Sequence, residues 1–265
     1  MACKLIVSDL DGCLLHSDGS LPARFGEAFG LMQEKDVVFA AASGRSLAGM
    51  AKPFEAYADK MTFIADNGAR VCHRGRSIFL HALQYDDYYT LIEELRRHEN
   101  LVAVACGVHE AWIENSCRIT PAIEKELKKY YPSWKTCEFD SIPDQIIKFA
   151  LLYFDDIEKN IYPFFQRFDN DRLCVQVTAF VWIDVFKKGI SKGMGVKALQ
   201  KELGIAPEET LVFGDYLNDI SMADFAARSF APANAHPKVK ERFTDIIGES
   251  DGESVAETTI KMLAP

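Results

Sequence analysis

The sequence predicts an α/β fold: a doubly wound parallel sheet with an α+β domain inserted into it. Three features lead there. Apolar strands alternate with amphipathic helices between Leu5 and Ala65, the rhythm of a parallel sheet with helices on its faces. Between 83 and 184 that rhythm gives way to paired strands and short helices, and from Ser191 it returns. The expected organisation is a Rossmann-like core of 1–82 and 185–265, carrying an inserted domain of 83–184 joined by two short hinges.

Each element has a local reason. Leu5-Ile6-Val7 is an apolar run of the kind a buried parallel strand shows, and it ends in Asp9-Leu10-Asp11-Gly12. After a polar loop, Pro22 suits a first helical position, and Phe25, Ala28, Phe29 and Met32 form one stripe at i, i+3, i+4 and i+7. Residues 37–42 are a second apolar strand, running into Ser43-Gly44-Arg45; Leu47, Met50 and Phe54 mark the next helix. Residues 62–65 are a third strand, closed by the turn signal Asp66-Asn67-Gly68. In the insertion, Tyr88, Leu91, Ile92 and Leu95 mark a helix, 102–108 and 111–113 pair as strands, and Pro121 opens a helix with Ile123 and Leu127. A long strand over 146–154, a helix re-started near Pro163 and a strand pair at 173–177 and 181–186 complete it. Ser191 then caps a helix carrying Val196, Leu199 and Leu203, with Gly204 as its stop. Residues 211–213 are a strand ending at Gly214-Asp215, and Ile220, Ala223 and Phe225 sit on a helix. Short strands at 230–231 and 245–247 and helices at 238–243 and 254–263 finish the chain.

Composition narrows the function classes. With 48% hydrophobic and 26% charged residues, the 265-residue chain can bury a full core. A formal net charge of −9 argues against nucleic-acid or anionic-membrane partners, which need clustered Lys and Arg. Seven scattered cysteines, an odd number with no Cys-x-x-Cys pair, read as free thiols of a reducing cytosol. No signal-peptide core precedes the first strand and no apolar run approaches the ~20 residues of a membrane helix, so a cytoplasmic location is expected. No obligate protein partner is evident.

In a doubly wound sheet the carboxyl ends of the strands converge on one crevice. Here they carry Asp9 and Asp11, then Ser43, then Asp215 with Asn218 and Asp219. Asp9 and Asp11 share a direction if the strand continues, but Gly12 lets the chain turn away at once. Two carboxylates 4 Å apart repel by about 4 kcal/mol at an effective dielectric of 20. Four of them call for shared protons or a hard divalent cation, most naturally Mg²⁺. Such a site also suits a phosphoryl group: Ser43 and the N–H groups of Gly44 and Arg45 are donors at a helix start, and Lys192 is a cation in a first helical turn. Taken singly, Asp9 and Asp11 can be turn formers, Ser43 a helix cap, Lys192 a solvated surface lysine and Asp219 a first-turn acid.

Taken in order, Asp9-Leu10-Asp11-Gly12, Ser43-Gly44-Arg45, Lys192 and Gly214-Asp215-Tyr216-Leu217-Asn218-Asp219 resemble the four motifs of the haloacid dehalogenase-like superfamily, specifically its Cof-like phosphatases. Asn67-Gly68-Ala69 matches that subgroup, and the insertion resembles a type IIB cap. The resemblance implies Asp9 as a nucleophile forming an aspartyl-phosphate and Asp11 as the acid and base. It implies Ser43, Gly44 and Lys192 around the phosphoryl oxygens. Asp9, the Asp11 main-chain carbonyl and Asp215 would be ligands of Mg²⁺, with Asn218 and Asp219 behind them. Gly12, Arg45 and Asn67 are further candidate substrate contacts. Cys13 departs from the pattern, standing where relatives usually have threonine, and Ser43 replaces a threonine more mildly.

The expected activity is Mg²⁺-dependent hydrolysis of small phosphorylated metabolites, with sugar phosphates as the class the resemblance implies. A phosphosugar mutase, a catalytically inactive phosphometabolite-binding protein and a phospho-acceptor signalling domain are the other readings. The Tyr85–Tyr89 cluster and Trp112 read as packing, and His73, His81, His98, His109 and His236 lack ligand spacing.

Overall fold

A computed structural model describes residues 3–264. The chain forms two compact units, one built from residues up to Leu80 and from Ser191 onward, the other from His81 to Ile190.

The first unit begins with β1 (Leu5–Asp9), α1 (Phe25–Glu34), β2 (Val38–Ala42), α2 (Leu47–Ala51), β3 (Thr62–Ala65), β4 (Arg70–His73) and β5 (Arg76–Leu80). Phe25, Ala28, Phe29 and Met32 are all buried, so the stripe on α1 faces the sheet as its spacing requires. Pro22 does not open that helix: its carbonyl accepts from Phe25 N–H at 3.0 Å in a preceding turn. The hairpin β4–β5 was not expected. Asp66, Asn67 and Gly68 all take positive φ and reverse the chain, so that β4 runs antiparallel to β3. Arg74 and Gly75 then form a two-residue connection with both φ positive, a geometry that sequence reading expects from Asn-Gly or Asp-Gly.

The second unit contains α3 (Tyr85–Leu95), β6 (Val102–Gly107), β7 (Ala111–Glu114), α4 (Pro121–Leu127), β8 (Lys135–Cys137), β9 (Ile146–Leu152), α5 (Ile157–Asn160), α6 (Tyr162–Phe165), β10 (Leu173–Ala179) and β11 (Trp182–Lys187). Its sheet runs β10-β11-β9-β6-β7-β8, antiparallel except for the β7–β8 pair. Tyr88, Leu91 and Ile92 of α3 pack on one face and Leu127 of α4 on the other. Strand β8 escaped sequence reading because Lys-Thr-Cys at a sheet edge carries no apolar alternation.

The chain re-enters the first unit with α7 (Lys192–Leu203), β12 (Thr210–Phe213), β13 (Arg228–Ala231), α8 (Pro237–Arg242), β14 (Asp245–Ile246) and α9 (Ser254–Leu263). The completed sheet runs β14-β13-β12-β1-β2-β3-β4-β5, parallel through β3. Leu5 and Val7 pack with Val196 and Leu199 of α7, while Ile6 packs with α1 and α9 residues, so β1 is buried on both faces. The Leu217–Phe225 segment, expected as a helix, is a 3-10 run. Asp219 and Met222 are both buried there, three apart and so on one face of the run, where 3-10 geometry eclipses them. Among the described residues no helix is long and apolar enough to cross a membrane.

Candidate active site

The site follows from strand register. Asp9 lies beside Ala42 on β2, and Ser8 lies beside Phe213 on β12, so the ends of three neighbouring parallel strands are level. Asp9, Ser43 and Asp215 therefore leave the sheet along one edge.

Lys192 is the centre of the charge arrangement. Ser191 caps α7, its hydroxyl accepting from Met194 N–H at 3.2 Å, which makes Lys192 the first helical residue. Glycines at 193 and 195 let the helix start press against its surroundings: a Cβ on Gly193 would strike the Ser221 carbonyl, and one on Gly195 would strike Ile64. The lysine is 1% exposed, not solvated, and its ammonium donates to Asp9 Oδ1 and, at 2.6 Å, to Asp219 Oδ1. Burial alone would lower its pKa, but the Asp219 and Asp9 carboxylates outweigh that and raise it, so Lys192 stays charged.

Asp219 is engaged at both of its oxygens. Its Oδ1 takes the lysine, and its Oδ2 accepts the backbone N–H groups of Asp215 and Tyr216, both at 2.9 Å. Asp9 and Asp215 are different. Burial raises the Asp9 pKa well above the usual range, with Lys192 opposing; burial, then the Asp219 charge, raises Asp215 to about 6. The Asp9 and Asp215 carboxyls are within hydrogen-bonding reach, and Asp215 Oδ1 is buried without a hydrogen-bond partner. One carboxylate oxygen from each of Asp9, Asp215 and Asp219 lies within 4.8 Å of the others. Crowded, desolvated, all-oxygen donors with one oxygen unsatisfied fit a hard divalent cation.

Asp11 is not part of that crowd. β1 stops at Asp9, Gly12 takes φ +78°, and the Asp11 side chain faces solvent in the grip of Arg45. Arg45 Nε donates to Asp11 Oδ2 at 2.9 Å and its Nη2 to Oδ1. Three clustered carboxylates, rather than four, thus surround Lys192. Gly12 lies against the cluster, since a Cβ there would collide with Asp215 Oδ2.

The remaining predicted residues form a connected rim. Ser43 is buried and its hydroxyl accepts from Arg45 N–H at 3.2 Å. It does not cap a helix: α2 starts at Leu47, capped by Ser46, so the expected helix start behind Gly44 and Arg45 lies further along the chain. Asn67, in the left-handed conformation, accepts from Asn218 Nδ2 at 3.0 Å and lies close enough to crowd a Cβ on Gly44. It links the strand ends of β2 and β12. Gly68, at φ +96°, packs on the Ser191 carbonyl, where any side chain would collide. Cys13 is buried, its thiol pushed up by burial and by the Asp9, Asp215 and Asp219 charges, so it is not a reactive thiolate. Sequence reading missed the Arg45–Asp11 fork and Asn234, whose Nδ2 donates to the Gly12 carbonyl at 2.9 Å.

Residues 6–258 match the haloacid dehalogenase-like hydrolase family. A 5-amino-6-(5-phospho-D-ribitylamino)uracil phosphatase of Escherichia coli (strain K12) is 29% identical over 265 residues, covering 99% of this chain and 97% of that protein. A Streptococcus mutans UA159 protein of known structure superposes with a TM-score of 0.86 at 25% identity, covering 100% of both chains. The HAD subclass IIB sugar phosphatase BT4131 shares the fold with a TM-score of 0.79 at 20% identity over 98% of each chain. The match spans both units and all the strand ends that build the site, and the chain belongs to the haloacid dehalogenase-like hydrolases, as a phosphatase of that family.

Proposed function

We propose that this phosphatase hydrolyses phosphomonoesters of small sugars or sugar alcohols, with Mg²⁺ held by Asp9 and Asp215 and Asp9 as the nucleophile. The observation that carries the reading is the buried Asp9–Lys192 pair beside the unsatisfied Asp215 Oδ1. A charged lysine fixed on a carboxylate is what an incoming phosphoryl group needs at both its attacked atom and its equatorial oxygens. The name of the Escherichia coli relative, whose substrate carries its phosphate on a ribityl chain, supports a polyol phosphate as the ester.

Asp9 attacks phosphorus with one carboxylate oxygen, and Lys192 keeps that carboxylate aimed along the strand end while balancing the charge of the phosphoryl oxygens. The bond from phosphorus to the ester oxygen breaks as Asp11 gives that oxygen its proton, leaving an acyl phosphate on Asp9. Asp11, now a carboxylate, takes a proton from water as the water oxygen attacks the same phosphorus, which returns Asp9 and frees inorganic phosphate. Ser43 and the Gly44 N–H donate to the phosphoryl oxygens. Mg²⁺, when bound by Asp9, Asp215 and the Asp11 carbonyl, supplies charge neutralisation to those oxygens. Asp219 spends both its oxygens on Lys192 and on the backbone of 215–216, so its part is to hold those groups in place.

The test is phosphate release from a panel of sugar, polyol and nucleotide phosphates, with Mg²⁺ and with chelator, beside Asp9→Asn. Turnover on polyol or sugar esters that needs Mg²⁺ and falls on the order of 10⁴-fold or more in Asp9→Asn is expected. Unchanged turnover in Asp9→Asn, or phosphate moved between hydroxyls without release, overturns the reading.

A further inference from the structure

The turn that leaves β1 carries Asp11 and Gly12 and is closed by its own backbone, with Cys13 and Leu15 N–H on the Leu10 carbonyl at 3.4 and 2.8 Å and Leu14 N–H on the Asp9 carbonyl at 3.3 Å, but none of these bonds holds the Gly12 carbonyl. Gly12 sits at φ +78°, pressed so closely on Asp215 that no Cβ fits between them. A small swing of this glycine moves the Asp11 carbonyl and carboxylate relative to Asp215. The group that meets the Gly12 carbonyl comes from far along the chain: Asn234 Nδ2, at 2.9 Å.

Asn234 is itself held from two sides. Its Oδ1 accepts from Ser250 N–H at 2.9 Å, which fixes which end of the carboxamide faces Gly12. Its loop follows β13 and is tied down by Ala235 N–H to the Pro232 carbonyl at 2.9 Å and by Lys240 Nζ to the Ala233 carbonyl at 2.6 Å. Two residues on, His236 N–H donates to the Asp215 carbonyl at 2.8 Å. One short segment, 234–236, thus grips the carbonyls of both Gly12 and Asp215. The loop between β14 and α9, which supplies Ser250, is itself clasped from outside, where Asp251 accepts from Ser17 N–H at 2.6 Å and Glu253 from Ala23 and Arg24 N–H, each at 2.9 Å.

We infer that Asn234 is a positioning residue: its carboxamide sets the Gly12 turn, and with it the Asp11 carbonyl, at a fixed distance from Asp215. It acts through the turn rather than on the ester, and the inference rests on the proposed assignment of Asp9, the Asp11 carbonyl and Asp215 to the cation. Asn234 is exposed, so its hydrogen bond contributes little to global stability and its removal leaves a folded protein.

The experiment compares wild type, Asn234→Ala and Asp251→Ala, the last releasing the β14–α9 loop from Ser17 while leaving the Asn234 carboxamide in place. Thermal unfolding under rising Mg²⁺, with no substrate present, reads cation binding apart from turnover; steady-state kinetics then separate kcat from KM. In Asn234→Ala the half-saturating Mg²⁺ for the thermal shift should rise about tenfold and kcat should fall about tenfold. KM for the ester should stay within about twofold, and the melting temperature in chelator within about 2 °C of wild type. Asp251→Ala should match wild type in Mg²⁺ response and kcat. An unchanged Mg²⁺ response in Asn234→Ala, an equal loss in Asp251→Ala, or a wild type that shows no Mg²⁺-dependent shift overturns the inference. A wild type that binds Mg²⁺ and loses that binding in Asn234→Ala, yet releases no phosphate from any ester, supports the brace and sinks only the proposed activity.

Discussion

Arg45 holds Asp11 by both carboxylate oxygens, Nε on Oδ2 at 2.9 Å and Nη2 on Oδ1, although the two residues stand 34 positions apart. A planar guanidinium can fix a carboxylate in direction as well as place, which a single ammonium cannot. Arg45→Lys should therefore lower kcat by about tenfold while the midpoint of urea unfolding stays put, because a pair this exposed stabilises the fold by only about 0–1 kcal/mol. A kcat equal to wild type in Arg45→Lys would show that the fork has no part in placing Asp11.

Lys192 should behave in the opposite way. It is buried with two carboxylates that depend on it, and replacing it by methionine leaves Asp9 and Asp219 without their cation. Removing one member of a buried pair costs about 3–5 kcal/mol, so Lys192→Met should unfold at clearly lower denaturant as well as lose turnover. Denaturant titration of the variant checks this, and a midpoint within error of wild type contradicts it.

Asp215 gives the site a pH signature. Its carboxyl has an ordinary value near 3.8 in an unfolded chain and is raised by burial to about 6 in the folded one. Between those values the folded protein keeps a proton that the unfolded chain has released, so in chelator this residue's effect is a loss of stability as pH rises from about 4 to about 6, level above that. Asp215→Asn should remove that part of the slope and be the more stable protein above pH 6 without cation. Divalent-cation binding should strengthen through the same window, since proton and cation compete for the same oxygens. Thermal scans of both proteins from pH 4 to 8, with and without Mg²⁺, measure both trends.

The glycines at the start of α7 should be intolerant where a solvent-facing one is not. Gly193→Ala drives a methyl into the Ser221 carbonyl and should destabilise by about 1–3 kcal/mol, moving Lys192 with it. Gly30 on α1 has open space around it, so Gly30→Ala should stabilise by about 0.5–1 kcal/mol through helix propensity. Equal melting temperatures for the two variants would refute the packing account.

What could be read from sequence was what depends on short-range pattern. The stripe 25, 28, 29, 32, the Ser191 cap and the left-handed Gly204 stop are each set by neighbours within a turn or two, and each stands where it was expected. What was hidden depends on distant chain. Arg74-Gly75 does not look like a hairpin turn because an arginine supplies one of the positive φ angles, and the β3–β4 reversal is secured by Gly68 meeting Ser191, more than a hundred residues away. Asp11 illustrates the same limit within the site: period two lets Asp9 and Asp11 share a direction, and only the Gly12 turn and the Arg45 fork decide that they part. Asn234, between two prolines in an ordinary-looking loop, carries no local mark of its contact with Gly12.

The uneven charge count around Lys192 also dictates a timetable. Carboxylates outnumber the ammonium, and Lys192 is already fully engaged with Asp9 and Asp219, so a doubly negative ester drifting up to the bare edge meets repulsion of its own sign. On the proposed assignment of a dication to Asp9 and Asp215, its arrival reverses the local field, so initial rates with Mg²⁺ and ester both varied should show the dication binding ahead of the ester, with the ambient dication concentration acting as a throttle on substrate capture.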